Sequence, residues 1–116
     1  MRNKRRSPCP IACVLDLLGD KWTLLIVRDM VYGKSLFKEF TSSPEKIATN
    51  ILSDRLVRLT KQGYIEKYAQ PDQVGRVAYR LTSKGESLKP LLNQIVAWGL
   101  KHISGTEVRM KPLVKS

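Results

Sequence analysis

A mainly α-helical domain carrying a single β-hairpin is predicted by three observations. Apolar residues recur at helical spacing in successive segments between Pro10 and Gln62. The period then switches to two between Tyr64 and Leu81, around a turn cluster at Pro71 to Gly75. Helical spacing returns from Ser83 to Ile103. The length, 116 residues, suits one domain, and 42% hydrophobic with 27% charged residues is a globular mixture rather than a disordered one.

Each element follows from its residues. Ile11, Val14, Leu15 and Leu18 share one helix face, Pro10 fits the first turn, and Gly19 ends the helix. Asp20 is placed to cap a second helix from Lys21 to about Val31, in which Trp22, Leu25, Ile26 and Asp29 to Met30 trace successive turns before Gly33. A short third helix, Ser35 to Thr41, carries Leu36, Phe37 and Phe40 and is broken by Ser43-Pro44. From Thr49 to Gln62, Leu52, Leu56 and Leu59 form a narrow apolar stripe, and Gly63 is the stop. The opposite side carries Asn50, Ser53, Asp54, Val57 and Lys61, flanked by Arg55 and Arg58. Tyr64 to Tyr68 and Arg76 to Leu81 pair as a hairpin, with Val77, Tyr79 and Leu81 on one face and Arg76, Ala78 and Arg80 on the other. Thr82-Ser83 opens the last helix, Ser83 and Glu86 have capping-box spacing, and Pro90 should kink that helix or delay its onset.

Two helices joined by a short polar turn, with a hairpin directly after, make a winged helix-turn-helix. A helix with a polar outer face can enter the major groove, and a basic hairpin beside it can follow phosphates or the minor groove. The segments Cys9-Pro10, Leu18-Gly-Asp-Lys-Trp22-Thr-Leu-Leu-Ile26, Leu52-Ser-Asp-Arg-Leu56-Val-Arg-Leu59 with Gly63-Tyr64-Ile65, and Tyr79-Arg-Leu-Thr-Ser-Lys-Gly85 resemble HxlR-type regulators across about residues 9–103. The resemblance implies a homodimeric, bacterial-type transcription factor of the MarR group, paired through its first and last helices. Leu15, Leu92, Ile95, Trp98 and Leu100 are then the interface candidates. The chain departs from the family pattern in its DNA-reading region, at Lys34-Ser35-Leu36-Phe37, Ala48, Val74-Gly75-Arg76 and Ala78.

Charge points the same way. A formal excess of +11 suits a polyanion, with nucleic acid ahead of an anionic membrane surface and of a basic surface lacking any partner. Residues 1–8 read as a basic flexible arm, 9–104 as the DNA-binding and dimerisation domain, and 105–116 as a loose tail. No run matches a membrane span or a signal peptide, so a cytoplasmic location and no membrane partner are expected. Two cysteines and one histidine supply neither a disulfide framework nor a zinc site, and no cofactor is expected. There is no Gly-rich phosphate loop and no plausible acid pair, which argues against an enzyme.

Within the fold, Thr49, Asn50 and Ser53 are the candidates for base edges, and Arg55 and Arg58 for phosphate or guanine. Arg76 in the wing, with Lys34 and Lys38 in the third helix, would reach the backbone. Cys9 precedes a helix beside Lys4, Arg5 and Arg6, surroundings that favour a reactive thiol. In some relatives a cysteine in this Cys-Pro position senses oxidants, and an idle thiol is the competing reading. A small-molecule effector between the dimer helices and the DNA-binding lobe is the other route of control, and no residue names it. The expected function is a sequence-specific regulator, as a repressor under thiol or ligand control. The alternative is a nonspecific architectural DNA- or RNA-binding module, against which the lack of a stacking aromatic platform counts.

Overall fold

The computed structural model of the chain describes residues 6–69 and 77–109. Arg76, the turn cluster from Pro71, the arm up to Arg5 and the tail from Met110 lie outside them. The order is α1 (Pro10–Leu18), α2 (Thr23–Val31), α3 (Phe37–Thr41), α4 (Thr49–Lys61), β1 (Ile65–Ala69), β2 (Val77–Leu81), α5 (Ser83–Glu86) and α6 (Lys89–His102). This is a winged helix-turn-helix, with α3 and α4 forming the motif and the antiparallel β1–β2 hairpin the wing.

The core sits where α2, α3, α4 and the hairpin converge. Ile26, Val27 and Met30 of α2, Phe40 of α3, and Leu52, Leu56 and Leu59 of α4 are buried with Tyr64, Ile65, Leu18 and Leu88. The three stripe leucines of α4 are each no more than 2% exposed, while Asn50, Ser53, Asp54 and Val57 face solvent. The amphipathic reading of this helix is therefore correct. Gly63 follows its last turn at φ +82°, a backbone conformation that side-chain-bearing residues rarely adopt. This sharp reversal feeds the chain straight into β1.

Local chemistry sets the other boundaries. Asp20 caps α2 as expected, although the regular helix begins at Thr23 rather than Lys21. Its Oδ2 accepts the backbone N–H groups of Trp22 (3.1 Å) and Thr23 (3.2 Å). The final helix is two helices. Thr82, not Ser83, caps α5, because its hydroxyl accepts the Gly85 N–H at 3.1 Å. Pro90 then lies in the first turn of α6, where its missing N–H costs no hydrogen bond.

In the hairpin, Tyr79 and Leu81 are half-buried against the core. Ala78 is the fully buried residue of β2, and Val77 is 50% exposed. The segment before α3 pairs with this strand. Leu36 forms an isolated bridge with Ala78, and the Tyr79 N–H donates to the Ser35 carbonyl at 2.9 Å. A third stretch of backbone thus pairs with the edge of β2.

Candidate nucleic-acid interface

The outer face of α4 carries the base-reading candidates. Thr49, Asn50 and Ser53 are exposed in its first two turns, with Ala48 at the N-cap offering no side-chain acceptor. Val57, 48% exposed, continues the same face one turn beyond Ser53, and exposed Lys61 closes it. Arg58 is half-buried at the edge of this face, and Lys38 is exposed on α3.

Two of the cationic candidates are engaged within the chain. Arg55 donates from Nε to Asp20 Oδ2 at 2.9 Å and pairs with Asp54 at 2.5 Å. Lys34 donates from Nζ to the Ser43 hydroxyl at 2.8 Å. On the wing, Arg80 pairs with Glu66 at 2.8 Å and lies 4.8 Å from the centroid of Tyr68. Lys67 of β1 is exposed.

The turn between α3 and α4 is held by a polar network that sequence reasoning missed. Asp29 is buried, and its Oδ2 accepts the Ser43 hydroxyl at 2.5 Å while Oδ1 accepts Arg28 Nη2 at 2.8 Å. Arg28 also forks onto Glu45, with contacts at 2.9 and 2.8 Å. The Arg28 hydrogen bonds hold the Glu45 carboxyl below its ordinary range, against partial burial. Lys46, next in the turn, adopts φ +57°. The only sequence signal for this network is an acidic residue at a helical position that the apolar trace assigns to the inside.

Asp20 is the second missed element: the cap was legible but its partner on α4 was not. Partial burial pushes its carboxyl up. Hydrogen bonds from Thr23, Arg55 and the Trp22 N–H, with the Arg55 charge, outweigh that and bring the pKa down to about 2.

The dimer candidates divide. Leu15, Ile95, Trp98 and Leu100 are exposed, with Ile11 and Val14 on α1 and Val96 and Ile103 beside them. Leu92 is half-buried and packs against the core of its own chain. Cys9 is exposed at the N-cap of α1. One turn on, half-buried Cys13 donates from Sγ to the Ser7 carbonyl at 3.4 Å. The Arg6 guanidinium pairs with Asp16 at 2.6 Å. A small pocket between Trp22, Ile26, Phe40 and Ile47, with Arg28 and Glu45 at its polar side, holds about 10 Å³, no more than one water. Among the described residues no cluster of His, Cys, Asp and Glu fits a metal ion, and no helix is long and apolar enough to cross a membrane.

Known proteins share this fold. YvaP, an uncharacterized HTH-type transcriptional regulator of Bacillus subtilis, is 32% identical over 89 residues, 77% of this chain and 82% of YvaP. The HTH-type transcriptional regulator YodB of Bacillus subtilis is 32% identical over 91 residues, 78% of this chain and 81% of YodB. The structure of the redox regulator HypR in its reduced form superposes with a TM-score of 0.74 at 30% identity, covering 83% of this chain and 95% of HypR. The pattern of the HxlR-like helix-turn-helix family matches residues 17–107. With its winged fold and two-faced α4, the chain belongs to this family of DNA-binding transcriptional regulators rather than to any class of enzyme.

Proposed function

We propose that the chain is a homodimeric repressor that reads a palindromic operator through α4 and releases it when Cys9 is oxidised. The observation that carries the DNA reading is the two-faced α4: a buried leucine stripe fixes the helix, and a solvated face of short polar side chains is left to enter the major groove. Thr49, Asn50 and Ser53 meet base edges, and the Val57 isopropyl group suits a thymine methyl. Arg58, Lys38 and, from the wing, Arg76 meet phosphates. Lys34 steadies the turn through Ser43, and Arg55 positions α4.

A second copy of the chain would cover the exposed apolar residues of α1 and α6. Leu15, Ile95, Trp98 and Leu100 lie on helices that expose more large hydrophobics than isolated surface residues would explain. Residues 9–104 act as the working unit, in the cytoplasm, with the arm adding sequence-independent attraction. Thiol control is supported by the exposure of Cys9 and by two relatives. HypR has been solved in reduced and oxidized forms, and YodB in reduced and diamide-treated forms. Oxidation would join one thiol from each subunit in a disulfide, with two electrons and two protons passing to the oxidant. A bond between Cys9 and Cys13 of one chain would strain the first turn of α1.

Duplexes selected by the protein from a random pool should be palindromic, with half-sites about one duplex turn apart. With about six phosphate contacts, log affinity should fall with log salt at a slope near −5. Equal binding to selected and random duplexes would sink the specific-repressor reading in favour of a nonspecific binder. Diamide should release the wild-type protein from its selected site and leave Cys9→Ser bound. An identical response from both would remove Cys9 as the sensor.

A further inference from the structure

We propose that Asp20 is a positioning residue for DNA reading, tying the start of α2 to Arg55 and so fixing the rotation of α4 in the major groove. The proposal rests on α4 being the reading helix. Asp20 belongs to neither element of the helix-turn-helix motif, and it lies thirty-five positions from Arg55 in the chain.

The geometry is that of a junction. Asp20 Oδ2 receives three donors: the Trp22 N–H at 3.1 Å, the Thr23 N–H at 3.2 Å and Arg55 Nε at 2.9 Å. Oδ1 accepts the Thr23 hydroxyl at 2.5 Å. The carboxylate is thus held rigidly by α2 before it meets α4. Thr23 is itself buried, at 3% exposure, so the anchor cannot swing. Arg55 in turn has only a fifth of its side chain exposed, and its other end meets Asp54.

Arg55 flanks the leucine stripe of α4 on the side away from Asn50 and Ser53. The stripe is narrow, and leucines alone permit a helix to roll by some degrees at little cost, because apolar packing is non-directional. A charge-assisted hydrogen bond at the edge of the stripe is directional and stops that roll. Small rolls matter here, because a side chain displaced by about 1 Å loses its hydrogen bonds to a base edge while phosphate attraction persists. The pair therefore acts on specificity more than on affinity.

The test compares selected and random duplexes for wild type, Asp20→Asn, Arg55→Gln and the double variant, each checked for folding by circular dichroism. Asn at position 20 keeps an oxygen for the α2 amides and removes the charge that holds Arg55. In the expected result each single variant lowers the selected-to-random affinity ratio about tenfold, binding to random duplex is unchanged or stronger in Asp20→Asn and no more than slightly weaker in Arg55→Gln, which loses a cation, and the double variant is no worse than either single one. A general loss of folding would lower both affinities together. A ratio within twofold of wild type in folded Asp20→Asn, or independent additive losses, overturns the clamp while leaving the reading helix intact. A wild-type protein that shows no ratio at all overturns both.

Discussion

Ser43→Ala should cost far more than its single oxygen suggests. Ser43 is 5% exposed, and its hydroxyl donates to Oδ2 of Asp29, itself 2% exposed, at 2.5 Å. The Ser43 hydroxyl oxygen in turn accepts from Lys34 Nζ at 2.8 Å. Alanine therefore removes a charge-assisted hydrogen bond and deprives a buried carboxylate oxygen of its donor. Bonds of this kind contribute about 1.5–3 kcal/mol, so a loss of about 2 kcal/mol is expected. For a domain of this size that corresponds to a fall in Tm of about 8 °C.

The neighbouring serine supplies the control. Ser42 is exposed, and its hydroxyl donates to the Glu39 carbonyl at 2.7 Å. Ser42→Ala should stay within about 0.5 kcal/mol of wild type. Urea unfolding at one fixed protein concentration separates the two, with a shifted midpoint and an unchanged slope for Ser43→Ala. Equal midpoints for the two variants would refute the reasoning, because they would mean that water replaces the hydroxyl and that the Asp29 network does not hold the turn before α4.

The same turn stores strain at Lys46, φ +57°. Lys46→Gly should raise stability by about 0.5 kcal/mol, and Lys46→Val should lower it by about 1 kcal/mol or more, both read as urea midpoints. Asp20 and Glu45 both have carboxyl pKa values below normal. Their stabilisation is therefore complete above the unfolded values near pH 4 and is lost as pH falls through the folded ones, which for Asp20 means towards about pH 2. Asp20 contributes about 1–2 kcal/mol of this after allowing for solvent screening, so unfolding measured at pH 5, 3.5 and 2.5 should show a shallower acid loss for Asp20→Asn than for wild type. Trp98, 61% exposed, should bury about 1.5 kcal/mol of apolar surface per protomer on pairing. Trp98→Ala should then weaken the dimer about a hundredfold in sedimentation velocity with its helix content unchanged, and sedimentation like wild type would exclude Trp98 from the interface.

What was legible in the sequence was whatever depends on neighbours along the chain. The α1 boundaries, the α4 stripe, the Gly63 stop and the delayed start of α6 at Pro90 all follow from periodicity and caps within a few residues. What was not legible arises from contacts between distant segments. The pairing of β2 with the backbone of Ser35 and Leu36, which lie far from it in sequence, has no local signal. Arg55 looked like a free cation because its partner Asp20 had been assigned in full to capping α2. The Asp29 network escaped notice because burial of an acid cannot be read until Ser43, Arg28 and Glu45 are brought around it. Two of the predicted DNA-site cations, Lys34 and Arg55, are thus tied to the scaffold behind α4, whereas the uncharged members of the site stand exposed on its face.

This division bears on how thiol chemistry at Cys9 would reach DNA at α4. α6 has no fully buried residue of its own: Leu88 seats its start, Leu92 is half-buried, and Ile95, Val96, Trp98, Leu100 and Ile103 remain in water. An isolated helix of this length is marginal, so apolar cover from a second copy would stabilise it and couple folding to dimerisation. Cys9 caps α1, whose Ile11, Val14 and Leu15 are equally uncovered, while buried Leu18 pins the far end of α1 to the core. A disulfide at Cys9 would therefore bear on the proposed interface first. The rotation of α4 within its own protomer is held by Leu52, Leu56 and Leu59 and by the Asp20 clamp, neither of which touches Cys9. Under the proposed arrangement oxidation would change the relation of one reading helix to the other rather than the shape of either. For a protein that must match two half-sites at once, a change in spacing is sufficient to abolish simultaneous contact, because two linked binding events lose their mutual gain once geometry forbids them from occurring together.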